Sequence, residues 1–135
     1  HTNTLDFAQS KLVSVLQGKI LDVAVDFRVG SPTFGRAISV ELDSLENKQL
    51  FIPRGFLHGF SVLSEDAIVN IKIDRYFAAG ESIGVKYDDK DLSIDWKISA
   101  KDIILSKADI ELKLFKDVIS PFDYGKNYYL MKQFV

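Results

Sequence analysis

The sequence has no cysteine, only two histidines and only three prolines in its 135 residues. Without thiols it can form neither a disulfide nor a thiolate metal site, the usage expected of a cytoplasmic protein. Any imidazole acid–base chemistry near neutral pH has to come from His1 or His58. No charge of one sign dominates either: 17 basic residues stand against 19 acidic ones, for a net charge of −2. A mildly acidic surface attracts neither nucleic acid nor an anionic membrane, so neither is expected as a partner. No apolar run approaches the roughly 20 residues of a membrane-spanning helix, and no signal-peptide pattern opens the chain. Repeats, linkers and low-complexity tracts are missing too, and the length suits one domain spanning residues 1–135.

What the chain does have is apolar and aromatic: 47% hydrophobic residues, with ten Phe and five Tyr. That composition suits a β-rich core. In Lys19–Arg28, Leu21, Val23, Val25 and Phe27 fall on one face and Asp22, Ala24, Asp26 and Arg28 on the other, the pattern of a half-buried strand. Turn residues Gly30–Gly35 break the alternation, and Arg36–Leu42 resumes it with Ile38, Val40 and Leu42 in phase. Further strands are predicted at Leu50–Ile52, near Phe60–Leu63, and at Ala67–Asp74, where Val69, Ile71 and Ile73 share a face. Strands at this spacing predict an all-β sandwich or barrel. Ser106–Val118 reads as a helix, with Ser106 as its cap, Asp109 near the positive end of its dipole, and Ile110, Leu114 and Phe115 as its apolar stripe.

Gln49–Phe60 is the densest stretch, with a strand, a Pro53-Arg54-Gly55 turn and His58 back to back. A strand ending in a glycine turn is one way a small barrel aims a polar group into its mouth. By composition alone the polar residues have ordinary readings. His1 is a free terminus, Lys11 a solvated strand edge, Arg54 a surface turn residue and Asp109 a first-turn helix carboxylate. Asp88, Asp89 and Asp91 read as a charge cluster on a solvated loop.

Taken together, Lys11-Leu12-Val13, Gln17–Arg28, Gly30–Gly35 and Gln49–Phe60 resemble the dTDP-4-dehydrorhamnose 3,5-epimerase family of cupin-like jelly rolls. The similarity continues through Tyr87-Asp88-Asp89, Ile94-Asp95-Trp96 and Leu105–Asp109, and none is seen from Ile110 onward. The resemblance implies an all-β cupin-like jelly-roll barrel with a short C-terminal helical segment, pairing as a homodimer. It also implies an epimerase of a nucleotide-linked 4-keto-6-deoxy sugar that uses no metal and no organic cofactor. Two histidines are in any case too few for the metal site found in some cupins. By position, His1 matches the family's catalytic base, Asp109 the carboxylate that orients it, Lys11 the cation that binds substrate and stabilises the enolate, and His58 a second, substrate-contacting histidine.

The sequence departs from the family twice. The family's N-terminal strands, including the Arg-Gly-Leu that leads into its catalytic histidine, are expected upstream of His1 and are not in this sequence. Secondly, the family's acid tyrosine falls on Ile71. Tyr76 lies five positions further on, an odd separation that places it on the opposite face of a regular strand. Double inversion is therefore in question. The alternatives are action at one carbon, a ketoisomerase of the same sugar class, or a cupin kept for binding or scaffolding.

Overall fold

In the computed structural model, residues 1–78 and 80–129 are described, so the end of the expected domain, 130–135, lies outside the described residues. Two long strands organise the chain. β2 (Lys11–Asp26) and β6 (Phe56–Ile73) pair antiparallel from Lys11↔Ile73 to Asp26↔Phe56. The other edge of β2 is shared, with β4 (Ala37–Asp43) along its C-terminal half and β5 (Gln49–Ile52) along its N-terminal end. Short strands close the periphery: β1 (Thr2–Asn3) pairs with β7 (Ser82–Ile83), and β3 (Arg28–Val29) with β8 (Phe122–Asp123).

β2 is not straight. Its register against β6 shifts between Val15 and Gln17 and again between Gly18 and Ile20, and bulges of this kind bend a strand. Gly18 makes the bend possible: its φ is +77°, and a Cβ there would lie 2.2 Å from the Asp66 carbonyl oxygen. Val13 and Val15 from one half of β2 thereby join Ile20 and Ala24 from the other in a single buried cluster with Leu42 and Ile52. The bulges also change the parity of inward-facing positions, so Lys11, Val13 and Val15 share a face with Ile20, Asp22 and Ala24.

The expectation of a half-buried strand at Lys19–Arg28 is corrected. Both faces are covered, with Asp22 at 0% and Asp26 at 1% exposure. Leu21, Val23, Val25 and Phe27 pack with Leu57, Leu92 and Phe122 in a second cluster beneath the C-terminal third of the chain. Asp26 is held by Arg28 at 2.8 Å, Ser31 at 2.5 Å and Thr33 at 2.7 Å. Burial disfavours its charge, but these donors outweigh burial and hold its carboxyl well below the usual range.

Three further readings change. Only Lys107–Ile110 (α1) of the predicted Ser106–Val118 helix is α-helical, followed by a 3-10 turn at Phe115–Asp117. Lys113 instead bridges to Val85, and Phe115 inserts its ring beside Phe27 and Phe34, so tertiary contacts override the apolar periodicity. Asp89 is 3% exposed and accepts from the backbone N–H groups of Asp91, Leu92 and Phe115, which makes it an internal anchor and not part of a solvated loop. Arg54 is 8% exposed, paired to Asp74 at 2.9 Å, bonded to the Tyr128 carbonyl and stacked over the Tyr129 ring; it clasps the C-terminal segment.

Candidate active site

His1 lies beside β6 as a directly opposed partner of His58. The His1 α-amine donates to the His58 carbonyl at 2.7 Å, and the His58 N–H donates to the His1 carbonyl at 2.9 Å. Residues opposed in this way project to the same face. The His1 ring lies against Gly84, where a Cβ would come 2.9 Å from Nδ1. Its Nε2 is 2.6 Å from Asp109 Oδ1, and its Nδ1 is 3.3 Å from Ser82 Oγ. Asp109 is fixed in turn by Ser106, which caps α1 by accepting from the Asp109 N–H at 3.1 Å and donates to Oδ2 at 2.7 Å. The bond to His1, then that to Ser106, hold the Asp109 carboxyl below its ordinary range against the opposing effect of burial.

His58 forms a second pair. Its Nε2 is 2.6 Å from Asp22 Oδ1, with side-chain exposures of 5% and 0%. Asp22 Oδ2 has no hydrogen-bond partner among the described residues. Lys11 interacts with the Asp22 carboxylate electrostatically. Burial pulls its ammonium below the usual lysine range, and the Asp22 carboxylate pulls it partly back.

His1, Lys11, His58 and Asp109 all line one open cavity of about 730 Å³, so every residue expected at the site is brought to it. Ile71 lines the same cavity. Tyr76, at 95% exposure, does not line it. Among the described residues no group of three His, Cys, Asp or Glu side chains is placed to hold a metal ion. A histidine backed by a carboxylate, together with a half-buried ammonium, can take a proton from a carbon beside a carbonyl and hold the enolate that results. Sequence reasoning missed Asp22, Ser82, Gly84 and the contact of Ser106 with the carboxylate. A signal for Asp22 was there: an acid in the middle of an apolar strand is out of place unless it has a buried partner.

A sheet bent around a cavity with polar groups at its mouth defines the class: a cupin-like jelly roll carrying a candidate proton-transfer site. The family model for dTDP-4-dehydrorhamnose 3,5-epimerase matches residues 1–117, and the chain belongs to that family. The match runs past Asp109, where the resemblance was expected to stop. The Sinorhizobium fredii dTDP-4-dehydrorhamnose 3,5-epimerase is 37% identical over 126 residues, 93% of this chain and 64% of that protein. Among solved structures, the Elizabethkingia anophelis epimerase of the same name aligns with a TM-score of 0.85 and 46% identity, over 87% of this chain and 64% of its own. The Legionella pneumophila dTDP-6-deoxy-D-glucose-3,5-epimerase, solved with dTDP-4-keto-L-rhamnose, gives 0.79 and 42% over 83% and 59%. The chain thus spans less than two thirds of the length of these relatives.

Proposed function

We propose that the protein epimerises a nucleotide-linked 4-keto-6-deoxy sugar at carbon 3 or 5 through an enolate. The observation that carries this reading is the His1–Asp109 contact at 2.6 Å, opening on the same cavity as Lys11. The ketone acidifies the neighbouring C–H bonds. His1, kept in orientation by Asp109, removes the proton, and Lys11 meets the charge that develops on the ketone oxygen. His58, locked by Asp22, contacts substrate. None of these steps calls on a metal or an organic cofactor.

We take residues 1–135 to form a single domain working as a homodimer in the cytoplasm. Exposed strand residues such as Phe51 and Ile68, at 58% and 52%, supply apolar surface for a second copy. No helix among the described residues is long and apolar enough to cross a membrane.

The test is incubation with a dTDP-4-keto-6-deoxy sugar in heavy water. Deuterium is expected at carbon 3 or 5, abolished by Lys11→Ala. A protein that binds the nucleotide sugar but shows no exchange above buffer is a binding cupin, and the enzyme reading falls.

A further inference from the structure

An enolate that is to be inverted needs a proton from the side away from the base, and the cavity wall carries Ile71 where a donor is needed. We propose that Lys11 is that donor. This rests on the epimerase reading and adds a second role to the enolate-holding one.

The bend in β2 gives the cavity two walls. His1 and His58 stand on one, beside the C-terminal half of β2 through Ala24↔His58. Lys11, at the far end of β2, stands on the other with its register partners Ile73 and Ile52, and Ile71 is one step further along β6 opposite Val13. Eleven residues of straight strand would carry Lys11 some 36 Å from Asp22. The two nonetheless interact electrostatically, and Lys11 lines the same cavity as His1 and His58, so the bend brings the ammonium back to the space that the base faces.

Each element around Lys11 can be checked for a rival donor. β5 offers Ile52, and the end of β6 offers Ile71 and Ile73. Asp74, beyond Ile73, is engaged by Arg54 and by the Ser10 N–H. Across the cavity stand His58 with Asp22 and His1 with Asp109. Tyr87 is the one phenol lining the cavity among the described residues, and it belongs to the margin where Trp96, Ile98 and Ile103 also border the hollow of Asp88–Asp95; Lys86, Glu65 and Asp102 line the cavity as well, and none of the three is a register partner of Lys11. Burial lowers the ammonium's hold on its proton, which makes it a readier donor than a solvated lysine.

The step balances without a co-reactant. The C–H electron pair passes into the enolate as His1 takes the proton. The enolate carbon then takes a proton from the Lys11 ammonium on its other side, leaving a neutral amine. Water, which reaches the open cavity, recharges Lys11 and discharges His1.

Lys11→Arg separates the two roles, since arginine keeps the cation but does not release a proton in this pH range. In the full length its gene encodes, this variant is expected to lose inversion by about 10²–10⁴-fold while heavy-water exchange falls by less than about tenfold. These 135 residues hold no cysteine, so with any cysteine elsewhere in the full-length protein replaced by serine, Lys11→Cys can be alkylated selectively with bromoethylamine to restore a primary amine of lower basicity. Alkylation is expected to bring inversion back with its alkaline limb moved down in pH. A Lys11→Arg protein with the wild-type ratio of inversion to exchange overturns the proposal and leaves the epimerase reading intact. So does alkylation that restores exchange without inversion. Exchange missing from the wild type removes both.

Discussion

The two histidine–carboxylate pairs have the same 2.6 Å contact and opposite surroundings. His1 and Asp109 are 41% and 35% exposed, whereas His58 and Asp22 are 5% and 0%. An open pair can trade protons with water between turnovers, as a catalytic base must. A closed pair is costly to ionise and costly to break, so it fixes geometry instead. With Nε2 taken by Asp22, Nδ1 is the ring nitrogen of His58 left for a ligand. On the reading proposed above, solvent access divides like chemistry into a proton-transfer pair and a positioning pair.

The sharpest way to break the comparison is to exchange the roles. His1→Asn is expected to slow heavy-water exchange by at least about 10²–10⁴-fold, the usual worth of a positioned base, while leaving the melting transition nearly unmoved. His58→Asn is expected to act mainly on the apparent affinity for the nucleotide sugar. Comparable losses of exchange rate in both variants, at saturating substrate, would erase the division of labour.

Stability should show the reverse order. Asp22→Ala removes the partner of a buried imidazole and a carboxylate that interacts with the half-buried Lys11 ammonium, and is expected to cost about 3–5 kcal/mol in denaturant unfolding. Asp109→Ala opens a pair that water already reaches, and is expected to cost under about 1 kcal/mol while greatly reducing exchange. If Asp109→Ala proved the more destabilising, the exposed pair would be the structural one.

How much of this could be read from the residues also divides along the two pairs. That His1, Lys11, His58 and Asp109 would share one cavity was legible, because their spacing matches a family pattern that survives in linear order. Asp22 was not, because period-two alternation reports which residues share a face but not whether a second layer covers that face. The other half of β2 supplies that layer, since the bend sets Val13 and Val15 together with Ile20 and Ala24 against Leu42 and Ile52. Asp89 and Arg54 were misread for the same reason, since a charged residue looks solvated until the backbone donors or the aromatic ring that bury it are known. The Ser106–Val118 helix failed differently: its cap was real, but Phe115 gains more by packing on Phe27 than by continuing the helix. Strand phase was legible at Lys19–Arg28, Arg36–Leu42 and Ala67–Asp74, whereas the first half of β2, the continuity of β6 from Phe56 to Ile73 and the bend at Gly18 were not.

The smallest expected effect tests what supports the open pair. Ser106→Ala removes the cap of α1, worth about 1 kcal/mol, together with the hydroxyl that donates to Asp109 Oδ2. That hydroxyl helps depress the Asp109 carboxyl. A carboxylate whose pKa is lower in the folded than in the unfolded state adds stability that is fully present above the unfolded value, about 3.9, and is lost as pH falls through the folded one. The ionisation part of the Ser106→Ala deficit should therefore persist at neutral pH and fade under acid, while the cap part remains. The His1 contact is the larger cause of the depression and is untouched, so exchange should fall only severalfold. A deficit that did not shrink with acidification would show that Ser106 acts on the helix alone, and a loss of exchange as large as that of Asp109→Ala would show that the carboxylate depends on the serine more than on the histidine it holds.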